Sequence, residues 1–302
     1  MKQLPQARLS RSTASGIALL LTLCLTGPAS AGLVFTQEIR GEGDAAKYQN
    51  MTMRTWLETS GAKMEFVSSG NPIMAAGTYM LVRPEDDAMI LVNPKEKTYA
   101  SFDFSQMMGA AGQFLGGQPE EQSAKKYPDP VVEKLLEEDG GVLLGHPTRH
   151  FRWRTQYTMG MNLPMGMSME IATDQTEDVW VADIQIDPKI LRSFEKMGAG
   201  AALPENFQKI VEAAKKTQAG FPLKRILVSK TKSTSTGTGM MAKMMAKSAA
   251  KQEAQGPQTM TFTVTELSEE KVPASTFAIP PGYTETQLMV PGMMMPDMNR
   301  EH

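Results

Sequence analysis

Apolar and polar residues alternate with a period of two through much of the first hundred positions. Such alternation is typical of β-strands with one buried face. AKMEFVS (62–68) is a clear example, and residues 78–104 contain three further runs separated by turn-forming residues. Together with similar runs near 33–40 and 47–58, they predict consecutive antiparallel strands.

The most regular alternation lies in FRWRTQYTMGMNL (151–163), where aromatic and apolar residues dominate the odd positions. The residues at 162–164 then interrupt the strand, because Pro164 cannot donate to a central ladder. If these three residues form a hairpin loop, the residues that flank it pair with their parity preserved. The predicted pairs are Met161 with Met165, Met159 with Met167, and Tyr157 with Met169.

This hairpin predicts an apolar wall on one side of two neighbouring strands. Apolar walls with a few polar groups are typical of sites for small apolar molecules. We therefore take the wall as the candidate ligand-binding site, made of Phe151, Trp153, Tyr157, Met159, Met161, Met165, Met167 and Met169.

The last two long strands are predicted over 221–232 and 259–267. A low-complexity insert, 233–258, separates them, and its MMAKMMAKSAAK repeat is expected to be a loop that is at times helical. The methionine-rich segment 287–302 is predicted to be a disordered tail.

Three helices are predicted beside these strands. Asp129-Pro130 combines an N-cap residue with a proline at the first helical position, and a short apolar stripe follows over 131–136. Asp187-Pro188 repeats this device, and a third helix is expected from about 204 to 220. The predicted fold is therefore α+β: a strongly curved antiparallel β-sheet, forming an unclosed half-barrel, with helices lidding its concave face.

The N-terminal segment has the features of a secretory signal peptide. Basic residues come first, an apolar run covers 17–25, and Pro28-Ala29-Ser30-Ala31 supplies small residues at a cleavage site. We expect export to the periplasm, cleavage after Ala31, and a single domain over 32–286 without a transmembrane segment. Cys24 is the only cysteine, so no disulfide and no thiolate metal site are expected after cleavage.

Charge and motifs argue against several functional classes. Removing residues 1–31 leaves 28 basic and 33 acidic residues, a net charge of −5, which argues against nucleic-acid binding. GEGDAA (41–46) matches a dinucleotide fingerprint, but strand-like residues follow where a helix is required. Ser168 lacks the second glycine of a nucleophile elbow. We predict no enzyme, no catalytic residue and no cofactor.

The chain contains 25 methionines, and two interpretations of them stay open. Methionine adapts to irregular apolar surfaces and to variable ligands. Its thioether also binds copper(I), so a methionine-rich periplasmic copper(I)-binding protein is the alternative function. His146 and His150 have the opposite parity from the methionines of 159–169 and are expected to be a solvated pair, so we assign no metal site.

Three segments carry a resemblance to a known family. GFPLKR (220–225) before a strand pair, RPEDDAMILVNPKEKTYASFDF (83–104) and the closing VPASTFAIPPGY (272–283) resemble an exported bacterial family, domain of unknown function 4412. The resemblance covers about 34–283. It implies a fold like that of the periplasmic lipoprotein-localisation carriers, in which a curved sheet and its helices hold acyl chains, and it implies no catalytic residues.

The expected function is non-enzymatic binding of an apolar ligand in the periplasm, either a lipid or a lipoprotein acyl chain. An envelope lipoprotein is the corresponding protein partner. Besides the copper(I) alternative, an envelope structural or interaction protein, whose sheet edge recruits a partner, remains the third class.

Overall fold

The computed structural model describes residues 32–286, except for 43–48, 71–73, 84–88, 103–126, 164–166, 185, 187–219 and part of 237–255. Within these residues, twelve strands form one sheet in the order β12-β6-β5-β4-β3-β2-β1-β11-β10-β9-β8-β7. The strands are β1 (Gly32–Gly41), β2 (Met51–Glu58), β3 (Gly61–Ser69), β4 (Tyr79–Val82), β5 (Met89–Asn93), β6 (Thr98–Phe102), β7 (Val131–Leu143), β8 (His146–Leu163), β9 (Met167–Ala182), β10 (Phe221–Thr236), β11 (Gln258–Glu270) and β12 (Thr284–Glu285).

The alternating segments form strands as predicted. The three runs in 78–104 are β4, β5 and β6, and each pairs antiparallel with the next. The first strand returns to pair with β11, which joins the N-terminal and C-terminal parts of the sheet. β10 extends to Thr236, so the first residues of the predicted low-complexity insert belong to the sheet.

The predicted α+β fold with helices lidding the sheet is wrong. The part of the chain that the structure describes is nearly all strand, and its one complete helix is a 3-10 turn, Ala274–Phe277. The expected helix over 131–136 is the start of β7, which pairs with β8. The other two expected helices, 187–194 and 204–220, lie outside the described residues.

The first of these helices fails because cross-strand pairing overrides a weak helical stripe. β7 places Glu138 opposite His150 and Glu133 opposite Arg154, so acidic side chains meet basic partners on β8. Opposite charges across strands stabilise a pair, and Val131 and Val132 have the β-branched side chains that strands favour. A proline beside an aspartate is compatible with a strand start as well as with a helix start.

Strand register assigns the side chains to two faces of the sheet. Directly opposed residues in antiparallel strands point to the same side, so the pairings carry one face from β6 to β8. We call the face that contains Met159 the methionine face, and its reverse the opposite face. On the methionine face, Leu33, Leu57, Ala62, Val82 and Val264 form part of one buried cluster with Phe221 and Leu223.

The opposite face is covered near β1 to β6 by the chain after β11. Phe277, in the 3-10 turn, packs with Val34, Val272 and Trp56. Ile279 and Tyr283 pack on a second cluster, made of Tyr79, Leu81, Ile90 and Val92. Burial on both faces explains why β4 and β5 are continuously apolar instead of strictly alternating.

Seven described residues of the insert are helical, namely Lys243, Ala246, Lys247, Ala249, Ala250, Glu253 and Ala254. All of them except Ala249 are exposed. No helical segment among the described residues is long and apolar enough to cross a bilayer.

Candidate functional site

The hairpin of β8 and β9 has a different register from the predicted one. Met161 pairs with Met169, Met159 with Ile171, and Tyr157 with Thr173, so the loop centre lies two residues later than expected. β8 continues to Leu163, and β9 begins at Met167, two residues later than expected. The shift is an even number of positions along the partner strand, so odd positions still oppose odd positions.

The predicted site residues therefore share one face wherever their side chains are described. Trp153, Tyr157, Met159 and Met169 are half-buried there. Phe151 is only 6% exposed and packs with Val179, Val181 and Trp153, so it belongs to the core beneath the site. The side chains of Met161, Met165 and Met167 lie outside the described part of the structure.

The same face continues across strands that the sequence analysis did not connect to the site. Following the register from β9 through β10, β11 and β1 to β5 brings methionines of distant segments onto it. Every strand methionine whose side chain is described lies on this face and is half-buried: Met51, Met53, Met64, Met80, Met89, Met159, Met169 and Met260. The alternation within each strand could be read from the sequence, but the order of the strands in the sheet could not.

The face also carries polar side chains, among them Thr155, Thr173 and Gln175, and an ion pair joins β9 to β10 on it. Glu177 lies directly opposite Trp153 in register, and Nε of Arg225 is 2.6 Å from Oε1 of Glu177. The N–H of that Nε is not directed at the oxygen, so the contact is an ion pair without a hydrogen bond. The indole Nε1 of Trp153 is also buried, and it too has no acceptor among the described residues.

The opposite face of the same strands carries a charged network around His150. Its Nδ1 lies 3.0 Å from Oε1 of Glu138, and its Nε2 lies 2.7 Å from Oδ1 of Asp178. The ring stacks on Trp180 with centroids 4.2 Å apart. His150 is 7% exposed, so the expected solvated histidine is in fact a buried link between β7, β8 and β9.

A second charged cluster lies further along this opposite face. Arg154 donates two hydrogen bonds to Asp174, at 2.9 Å and 2.6 Å, and Gln156 donates a third at 3.1 Å. These hydrogen bonds, the one from Arg154 first, lower the pKa of Asp174, and the same contact raises the pKa of Arg154. Both side chains are accessible to solvent, so the pair contributes little net stability.

A pocket of about 490 Å³ adjoins this cluster. Most of its strand residues belong to the opposite face, and polar groups dominate them. It is lined by Pro128, Asp129, Val131, Gln156, Tyr157, Thr158, Ala172, Thr173, Asp174, Lys230 and Lys232. Its strand side chains are mainly polar, but apolar atoms supply the larger part of its exposed lining.

Candidate metal ligands do not cluster in the described part of the chain. No group of three or more His, Cys, Asp or Glu side chains there could hold a metal ion. His146 and His150 lie at even positions of β8, on the reverse side from Met159. The thioethers of the methionine face therefore have no described histidine beside them.

No family model matches the chain, so membership of family 4412 stays a prediction. No curated protein matches it in sequence. A solved structure of PNGF-II matches with a TM-score of 0.30 and 10% identity over 85% of this chain, but over only 31% of that chain's length. A LolA superfamily protein from Nitrosomonas europaea matches with a TM-score of 0.25 and 8% identity, over 83% of this chain and 91% of that one. At these TM-scores neither match carries an argument about function.

Proposed function

We propose that the protein binds an apolar ligand, a lipid or a lipid-derived acyl chain, on the methionine face of its sheet. The observation that supports this best is the convergence of half-buried methionines from β2, β3, β4, β5, β8, β9 and β11 on that one face. The proposed role is non-enzymatic, and the signal-like segment 1–31 supports a periplasmic location.

The apolar side chains of the face divide into two kinds. Its fully buried cluster is built from leucine, valine, phenylalanine, alanine and isoleucine, which have well-defined rotamers and specify a fixed core. The methionines beside it are half-buried, unbranched and adaptable. A surface of adaptable thioethers next to a rigid core is suited to ligands whose chains vary in length and shape.

Titration of a neutral fluorescent apolar probe, N-phenyl-1-naphthylamine, tests this proposal. Met159→Gln places an amide on the methionine face, and Thr158→Gln places the same amide on the opposite face of the same strand. We expect Met159→Gln to weaken probe binding about tenfold, because contact with one methionine side chain contributes about 1.5 kcal/mol or more. The Thr158→Gln control should leave the affinity unchanged. No probe binding by the wild type, or equal losses in both variants, contradicts the proposal.

The two alternative functions, copper(I) binding and envelope interaction, would use different parts of the sheet. A copper(I) protein needs the thioether, so Met159→Leu would weaken competition with a copper(I) chelator while preserving the apolar volume. An envelope interaction protein would use the edge strand β7, where Val131 and Val142 are 58% and 67% exposed. A chain that withdraws copper(I) from the chelator would belong to the copper(I) class. A chain that binds a partner along β7 but no probe would belong to the interaction class.

A further inference from the structure

Methionine is absent from the buried core of the described residues. That core is built from leucine, isoleucine, valine, alanine, phenylalanine and tyrosine side chains. The eight strand methionines of the methionine face are instead half-buried, so each is partly accessible to solvent. Met64 and Met89 pack against a buried cluster from its outer side. The thioethers of this face therefore border the core without being part of it.

Five of these methionines are neighbours across β2 to β5. Met64 lies directly opposite Met80. Met53 is the diagonal neighbour of Met64, and Met89 is the diagonal neighbour of Met80. Met51 lies two positions before Met53 on the same face of β2. Diagonal neighbours are about 7–8 Å apart, within reach of long side chains, so a chemical change at the methionine sulfurs would alter a continuous part of the face.

Methionine sulfur is a target for two-electron oxidants. Hypochlorous acid transfers its oxygen to the sulfur lone pair: an S–O bond forms, the O–Cl bond breaks, and chloride and a proton are released. The thioether is oxidised to a sulfoxide, and the chlorine is reduced. The step needs only contact between the oxidant and the sulfur, which half-buried side chains allow.

A sulfoxide affects the fold and the ligand site differently. It is polar and chiral, and water solvates it while the face is unoccupied. An apolar ligand on the face would remove that water and supply no hydrogen-bond donor in its place, which is unfavourable. The described core has no methionine to oxidise, so its packing is preserved.

We propose that oxidation of the methionine face to sulfoxides weakens binding of the apolar ligand while the sheet stays folded. This inference rests on the proposed binding function and names its regulation. Methionine sulfoxide reductases regenerate the thioether, so the modification is reversible. The affinity of the face for apolar molecules therefore depends on the oxidants that the protein meets.

Oxidation of the purified full-length chain with hypochlorous acid tests this proposal. Mass spectrometry locates the sulfoxides, titration of N-phenyl-1-naphthylamine after removal of the oxidant measures binding, and urea unfolding monitors the fold. We expect oxidation of the strand methionines to weaken probe binding about tenfold, and the cooperative urea transition to persist. Treatment with methionine sulfoxide reductases A and B should restore the affinity.

The matched control replaces the eight strand methionines by leucine, which preserves the apolar volume and forms no sulfoxide. Its affinity for the probe should be the same before and after oxidation. An equal loss of affinity in this variant would overturn the inference, because residues other than these methionines would be responsible.

Two results in the wild type would also overturn the inference. One is unchanged probe binding after oxidation, and the other is a loss of binding that accompanies loss of the urea transition. If the leucine variant does not fold, repair of the wild type decides, since affinity that the reductases do not restore contradicts the inference. An untreated wild type that binds no probe would contradict the proposed function itself, and the inference would fail with it.

Discussion

Lys63 shows how single side chains adapt to a sheet that is buried on both faces. Its Nζ lies 4.8 Å from the Trp56 ring centroid and 4.3 Å from that of Tyr79, and 3.3 Å from Oε2 of Glu65. Two aromatic faces and a carboxylate compensate the ammonium for lost hydration. The lysine therefore occupies an interior position of β3 without being an unpaired charge.

Tyr79, beside this lysine, links stability to alkaline pH. Burial, and then the nearby Tyr283 and Glu65, raise the pKa of Tyr79 from 10.0 to about 12. Below pH 10 the phenol is protonated in the folded and the unfolded chain alike. Between pH 10 and 12 the unfolded chain loses this proton and the folded chain retains it, so stability falls as the pH rises.

The prediction is that Tyr79→Phe removes this contribution. Urea unfolding at pH 9 and pH 11.5 should give a smaller loss of unfolding free energy for the variant than for the wild type. Tyr283→Phe should reduce the loss by a smaller amount, because it removes only the contribution of Tyr283 to the raised pKa of Tyr79 and leaves the effect of burial in place. Identical losses in wild type and Tyr79→Phe would show that other groups govern alkaline unfolding.

The hairpin of β8 and β9 is the element that supports the candidate site, and its register can be tested directly. Directly opposed residues in antiparallel strands have Cα atoms about 4.5–5.5 Å apart, within the range of a disulfide. In a Cys24→Ser background, Met161→Cys with Met169→Cys should oxidise to a disulfide, because these residues pair in the sheet. Met161→Cys with Ile171→Cys, a diagonal pair, is the matched control.

Formation of the disulfide is measured by mass spectrometry after mild oxidation. Efficient oxidation of a Met161→Cys, Met165→Cys pair instead would return the hairpin to the register expected from the sequence. The apolar residues of β8 would lie on the same face after either result, because the two registers differ by an even number of residues. The composition of the methionine face beyond this hairpin would not depend on it.

Strands were predictable from the sequence where one face is buried, because alternation records that burial. The alternation from Phe151 to Met159 predicted the apolar side of β8 in this way, whereas apolar runs separated by turn-forming residues predicted β4 to β6 within 78–104. β7 was not predictable from its own residues, because the interactions that favour a strand there are made with β8. The contact between Glu138 and His150 is an example. The residues of this segment alone do not reveal that pairing, and their N-cap and apolar stripe favoured a helix.

At the scale of the whole molecule, the sheet separates two kinds of chemistry. Around β8 to β10, one side holds half-buried methionines, aromatic rings and the Glu177–Arg225 ion pair, and the other holds more extensive charged networks centred on His150 and Asp174. The chain after β11 covers the opposite face at β1 to β6. The sequence could not show this division, because β1 pairs with β11 across more than two hundred residues.

Polar atoms of the candidate site also depended on this long-range order. Arg225 and Trp153 belong to strands separated by β9, and neither residue is unusual in its own segment. Each was on the apolar parity of its strand, but only the assembled sheet shows that Trp153 lies opposite Glu177 and that Arg225 forms an ion pair with it. Apolar positions of a site are thus visible locally, whereas the ion pairs beside them emerge from assembly.

The central claim is that a ligand chain lies on the methionine face, and methionine methyl NMR tests it most directly. The chain is labelled with 13C at the methionine methyls, and a methyl stearate that carries a nitroxide near its chain end is added. A Thr158→Met variant supplies a reporter methyl on the opposite face of β8. The account predicts broadening of Met159, Met169 and other methionines of the face, and a sharp signal from the reporter at 158. Sharp signals from the face, or equal broadening at position 158, would contradict it.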